Sequence, residues 1–347
     1  MGSLWLYYYE IILFTHAAQL LRLYDADYFQ FKVSVHRVRS GPSNSVGQSA
    51  SVMTTGQACC YIYMRIPKTG SYTLRNLVSR EYRGRPYFDT HYSIINKTKW
   101  NQLMADLASL PLSERTAYRA VVGHMKFGLH EILPQPSRYI TFLRNPLDRF
   151  ASYYYMLQRQ GLMSHPHEFD PGQLAQDIDA HESLGRELDN GQTRALANAD
   201  LDLPFGQCSE KHLQQAQSNL DKHFAFVGLM EQFNLSLMLL QRICGWRWHF
   251  YVPKNISPPP SQQYRLPAQT LQAIASLNHL DERLLDYARK RFVESAGHYG
   301  IGLKLEHGLF VSCNTAHIGL HNIIYPLKQK IRKRCNNLEN MTAGCRL

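Results

Sequence analysis

The sequence predicts an α/β domain built on a parallel β-sheet flanked by helices, and three observations predict it. Short apolar runs alternate with longer stretches whose apolar residues recur at helical spacing. The runs are continuous rather than alternating, as strands covered on both faces require. Three of them stop at a cationic or basic residue, namely Lys68, His124 and Arg144, and in such sheets ligands bind beyond the carboxyl ends of the strands.

The elements follow in chain order. Residues 61–66 are a β-rich run closed by PKTGS, and Tyr72, Leu74, Leu77 and Val78 then fall on one helical face over 72–82. Residues 118–122 and 139–143 are further strands, ending at Gly-His and Arg-Asn-Pro. A helix is expected over 147–157, a fourth strand over 224–227, and helices over 235–243 and 281–292. Around this core, residues 38–57 are rich in Ser, Gly and Thr, as linkers are, and SPPP at 257–260 marks a rigid turn. We therefore read residues 1–57 as an extension and linker, 58–300 as the main domain and 301–347 as a basic tail containing KQKIRKR.

Composition narrows the partner. The chain has 347 residues, 44% of them hydrophobic, with net charge +11 and a pI near 9.3. Such a surplus favours an anionic partner without choosing among nucleic acid, acidic polysaccharide, phosphorylated cofactor and membrane. The seven cysteines have no C-x-x-C spacing, which points to neither a zinc site nor a disulfide framework. The apolar N-terminal stretch LWLYYYEIILF is interrupted by Glu10 and falls short of the roughly 18 to 20 residues of a bilayer span. It lacks a basic start and a cleavage site, so it reads as an extension open to membrane association. Cytoplasmic or membrane-associated placement is the expectation, with a Golgi lumen the eukaryotic alternative.

The strand ends carry the chemistry. A Thr69-Gly70-Ser71 turn entering a helix at Tyr72 presents backbone N–H groups and a positive helix end, which together cradle an anion. Lys68 adds a full charge. The order differs from G-x-x-x-x-G-K-[ST], because here Lys precedes Gly. Arg144 stands at the third strand end and Ser152 eight residues later; an arginine fork and a hydroxyl can clasp one phosphate. Arg149 is expected to pair with an acidic neighbour. A triphosphate enzyme would need Mg²⁺ held by a strand-end Asp, and these strands end in Lys, His and Arg instead. We therefore expect no metal.

PKTGSYTL followed by FLRNPLDRFASYYY resembles the paired 5′-phosphosulfate and 3′-phosphate loops of the sulfotransferases. Within that superfamily the chain is most similar to carbohydrate O-sulfotransferases of the heparan and uronyl 2-O type and their bacterial relatives. VVGHMKF at 121–127, DNGQTRALAN at 189–198 and AFVGLMEQF at 225–233 add to the likeness, which covers roughly 61–257. Val122 departs from it, standing where the heparan enzyme has the first histidine of His-Gly-His.

The resemblance implies a three-layer, P-loop-NTPase-like sandwich and PAPS (3′-phosphoadenosine 5′-phosphosulfate) as donor. It implies in-line sulfuryl transfer to a hydroxyl of a carbohydrate, such as an acidic polysaccharide, rather than a nucleic acid. His124 would be the base and Lys68 the stabiliser of the leaving phosphate. Lys68, Thr69, Gly70, Ser71 and Tyr72 would hold the 5′ end, and Arg144 and Ser152 the 3′-phosphate. Lys126 reads either as an acceptor contact or as a solvated lysine. Arg194 reads either as a ligand contact or as an ion pair with Glu187 or Asp189. A metal-dependent phosphotransferase and a non-catalytic glycan-binding protein are the alternative functions.

Overall fold

The computed structural model describes residues 59–93, 97–160, 187–199, 203–247, 250–253 and 268–343. The expected linker at 38–57, the apolar N-terminal stretch and the SPPP turn lie outside them. Five strands form one sheet: β1 (Cys60–Met64), β2 (Tyr87–Ser93), β3 (Ala120–His124), β4 (Ser137–Leu143) and β5 (Phe224–Leu229). Their order is β2-β3-β1-β4-β5, and every pairing is parallel. Successive residues of β1, β3, β4 and β5 are buried, so both faces of the sheet are covered, as the continuous apolar runs require.

The helices are α1 (Ser71–Glu81), α2 (Lys97–Ser109), α3 (Leu112–Ala117), α4 (Pro146–Arg159), α5 (Gly191–Leu196), α6 (Glu210–His223), α7 (Phe233–Ile243), α8 (Ala268–Leu277), α9 (His279–Gly297) and α10 (Gly300–Ala343). Leu74, Leu77 and Val78 of α1 join the core with Leu237 and Leu240 of α7 and Leu284, Leu285 and Ala288 of α9. Local chemistry sets the entry to α4. The Asn145 side-chain oxygen accepts the N–H groups of Leu147 and Asp148 at 3.0 and 3.2 Å, and Pro146 takes the first helical position, where no N–H is needed.

The topology makes β1 the hinge of the sheet. After β1 the chain moves outward to β2 and returns through β3; after β4 it moves the other way, to β5. The connections leaving β1 and β4 therefore diverge, and a crevice opens between their carboxyl ends. In open α/β sheets this switch point is where ligands bind. Lys68 follows β1 and Arg144 follows β4.

One element differs from the sequence expectation. Strand β2 reads YFDTHYS and, among the described residues, lies at the sheet edge beside β3, so its polar residues hide it from a search for apolar runs. One compact unit runs to Ile318, and Leu303 and Phe310 of α10 sit in the core. The described residues from 319 onward continue α10. Among the described residues, no helix is long and apolar enough to cross a membrane.

Gly123 is required by close packing. A Cβ there would lie 2.0 Å from Thr90 Oγ1 and 2.8 Å from its methyl on β2. Gly123→Ala should therefore cost about 1–3 kcal/mol by overpacking, seen as a lower midpoint of thermal unfolding. In a Thr90→Ala background the same change should cost less, and an equal cost would refute the contact as its cause.

Candidate functional site

The loop leaving β1 is shaped by two left-handed residues, Lys68 (φ 68°) and Gly70 (φ 68°), on either side of Thr69. Turns with left-handed residues can form anion-binding nests. The Thr69 hydroxyl donates to the Ile66 carbonyl at 2.9 Å and pins the turn. Gly70 meets two demands. Its φ disfavours a side chain, and a Cβ would lie 2.6 Å from the Met230 sulfur. The first turn of α1 begins at Ser71, whose hydroxyl accepts from the Arg65 guanidinium at 3.4 Å. Tyr72, next in that turn, is 41% exposed.

Arg144 reaches across the switch point. Its Nη1 donates to the Lys68 carbonyl at 3.2 Å, joining the ends of β4 and β1. Burial, with the charges of Arg159 and Arg144 close by, holds the Lys68 ammonium below its ordinary range. Burial likewise lowers Arg144, partly offset by Asp148. Two cations at neighbouring strand ends, each disfavoured by burial, suit an anion that is bound and released.

His124 closes the other side of β1. A carbonyl can only accept, so the 2.9 Å contact between His124 Nδ1 and the Arg65 carbonyl places the proton on Nδ1. The lone pair then lies on Nε2. Burial, aided by the charges of Arg65 and Arg75, pushes the imidazole down to about 3. The ring is therefore neutral at physiological pH. The three strand ends β3, β1 and β4 are neighbours in the sheet, which brings His124, Lys68 and Arg144 to one edge. Ser152 lies on α4, buried to 7% exposure.

Two expectations change. Arg194 is fully buried. Its Nε donates to the Asp189 carbonyl at 2.7 Å, its Nη1 to the Leu203 carbonyl at 2.7 Å and its Nη2 to the Pro204 carbonyl at 2.8 Å, beside an ion pair with the Asp189 carboxylate. This guanidinium spends four of its five N–H groups inside the fold and is fully buried, which corrects the ligand-contact reading in favour of the ion pair with Asp189. Lys126 is 7% exposed, so it is not a solvated lysine. Arg149 pairs with Glu187 at 2.7 Å, as expected of it.

Sequence reasoning missed Arg65 and Gln192. Arg65 lies inside the first apolar run and looks like strand, yet it supports both Ser71 and His124. Gln192 lies in the DNGQTRALAN segment and brackets the Arg144 backbone, accepting from its N–H and donating to its carbonyl, both at 2.9 Å. By contrast, His130 lies away from the crevice. Its ring packs against His223 and bonds the hydroxyl of Tyr139 near the amino ends of β4 and β5. Among the described residues, no group of three or more His, Cys, Asp or Glu side chains is placed to hold a metal ion.

The chain is similar to several sulfotransferases. The uronyl 2-sulfotransferase homolog pip of Drosophila melanogaster is 26% identical over 212 residues, covering 52% of this chain and 40% of that protein. Heparan sulfate 2-O-sulfotransferase 1 is 25% identical over 199 residues in Homo sapiens and 27% over 203 in Gallus gallus, covering 52% of this chain and 53% of theirs. The chain thus spans about half the length of the relatives it matches. A sulfotransferase from Alicyclobacillus acidocaldarius has a TM-score of 0.37 and 12% identity, covering 68% of this chain and 97% of that one; a score that low does not bear on the fold. The family model for galactose-3-O-sulfotransferase matches residues 33–302, most of the chain, and the protein belongs to that family.

Proposed function

We propose that the protein transfers the sulfuryl group of PAPS to a hydroxyl of a carbohydrate acceptor. The observation that carries this reading is the Arg144–Lys68 contact across the β1–β4 switch point, with a neutral histidine at the adjacent strand end. Membership of a sulfotransferase family supports it, and the net charge of +11 suits an acidic polysaccharide.

The donor lies along the crevice. The backbone of Thr69, Gly70, Ser71 and Tyr72 cradles its 5′-phosphosulfate end, and Arg144 with Ser152 holds the 3′-phosphate. The acceptor oxygen attacks sulfur in line with the bond to the 5′-phosphate. His124 Nε2 takes the hydroxyl proton as the new S–O bond forms, while the old S–O bond breaks and its electron pair leaves with the phosphate oxygen. Lys68 stabilises the charge growing on that oxygen; interactions of this kind are worth about 3 kcal/mol or more. Fixing the donor at both ends adds the advantage of proximity. The transferred group carries one negative charge, so these cations serve without a metal. Lys126, beside His124, is placed by this reading toward the acceptor side.

Each role has a distinct test. Lys68→Ala should lower kcat by about 10²-fold or more, and His124→Ala by about 10²–10⁴-fold, with unfolding midpoints close to wild type. Wild-type turnover in either variant would reject its role. Arg144→Ala should weaken adenosine 3′,5′-bisphosphate binding about tenfold to a hundredfold, as loss of a charged hydrogen bond does; calorimetry showing unchanged affinity would remove the clamp.

The pH dependence has a definite sign. The folded imidazole of His124 titrates near 3 and the unfolded one near 6.5. The base form is thus present throughout the neutral range, and kcat/KM should show no acid limb between about pH 5 and 7. As pH falls from 6.5 toward 3, the unfolded chain binds a proton that the folded ring refuses, so this group increasingly destabilises the fold. A kcat/KM inflection near 6.5 would contradict the buried, neutral base.

A further inference from the structure

We propose that Gln192 is a positioning residue for Arg144. It would act through a latch that fixes the β4–α4 turn against two helix starts. The role rests on the phosphate function proposed above for Arg144.

The latch has three layers. In the first, the Gln192 side-chain amide forms a two-point clamp on the Arg144 backbone, Arg144 N–H to Oε1 and Nε2–H to the Arg144 carbonyl. An amide is the side chain that supplies one donor and one acceptor side by side, so it mimics a strand partner where β4 has run out of sheet. In the second, Gln192 is itself held. The Asp281 carboxylate accepts the backbone N–H of Gln192 at 3.1 Å and of Thr193 at 2.7 Å, at the start of α5. In the third, the Asn190 side-chain oxygen accepts the N–H groups of Leu280 and Asp281 at 2.9 and 3.1 Å, at the start of α9. The two helix starts cap each other.

Asn190, Gln192 and Asp281 are 2%, 0% and 0% exposed. A buried polar network is costly unless its members are satisfied, and here the clamp ends on Arg144, whose side chain bonds the Lys68 loop. Asn190 adopts φ 48° to make its bonds, a conformation that asparagine tolerates better than most residues. With the Arg144 backbone fixed, its guanidinium begins from one place. Released, it would have to be ordered by each incoming ligand, and that entropy would be lost from affinity.

Gln192→Met keeps the length of the side chain and removes both bonds. Affinity for adenosine 3′,5′-bisphosphate, measured by calorimetry, should fall about tenfold or more, and the donor KM should rise while kcat at saturating donor is retained. In an Arg144→Ala background the same substitution should weaken binding little further, because Gln192 acts through Arg144. If Gln192→Met does not fold, Asp281→Asn should move affinity in the same direction by less. Unchanged affinity with a lowered unfolding midpoint would overturn the proposal in favour of a purely structural amide, and full additivity with Arg144→Ala would overturn it too. Wild-type protein that binds no bisphosphate would remove the sulfotransferase reading and this role together. Binding by wild type, weakened by Arg144→Ala and untouched by Gln192→Met, would remove this role alone.

Discussion

The hydrogen bond from Arg144 to the Lys68 carbonyl is the constraint on which the site depends. It forms because the chain leaves β1 in one direction and β4 in the other, so the two strand ends face each other with no connection between them. Everything nearby serves to hold those ends. Asn145 and Pro146 turn the chain into α4, Thr141 of β4 donates to the Met64 carbonyl of β1 at 2.9 Å, and Gly70 lets the Lys68 loop lie against Met230. The result brings the positive charges of Lys68 and Arg144 to neighbouring strand ends. Burial and nearby positive charges disfavour them, and an anionic ligand would relieve both.

His124 is tuned by the same arrangement. Its ring is tied to β1 through the Arg65 carbonyl, so the tautomer is set by the backbone of the strand that carries the Lys68 loop. Burial and the nearby arginines keep it neutral. A bound polyanion would offset those positive charges and raise the basicity of the ring. Donor binding and proton acceptance would then be coupled electrostatically, without movement of the fold.

Much of this was legible in the sequence, for reasons that differ by element. Strands β1, β3, β4 and β5 are covered on both faces and so appear as apolar runs; β2 escaped because Asp89, Thr90 and His91 break its run, although Asp89 is used by Arg75 in an ion pair at 2.6 Å. The placement of Lys68, His124 and Arg144 at strand ends was legible because a basic residue closing an apolar run is a local pattern. Gln192 was not, because its partner lies 48 positions away and an amide in a helix start carries no local signal of what it clamps. Arg194 was legible only as a choice between a ligand contact and an ion pair with Glu187 or Asp189; the Asp189 pair is the one the fold makes, and the bonds to the Leu203 and Pro204 carbonyls are visible only once the chain is folded. The long α10 had too weak a periodicity to be read, yet Leu303 and Phe310 anchor its first turns in the core.

The most direct test of the central claim is a crystal structure of the protein with adenosine 3′,5′-bisphosphate. The account predicts the 5′-phosphate in the Lys68–Tyr72 loop and the 3′-phosphate within hydrogen-bond distance, about 3 Å, of Arg144. A nucleotide bound elsewhere, or one whose two phosphates leave the crevice between β1 and β4 empty, would contradict it.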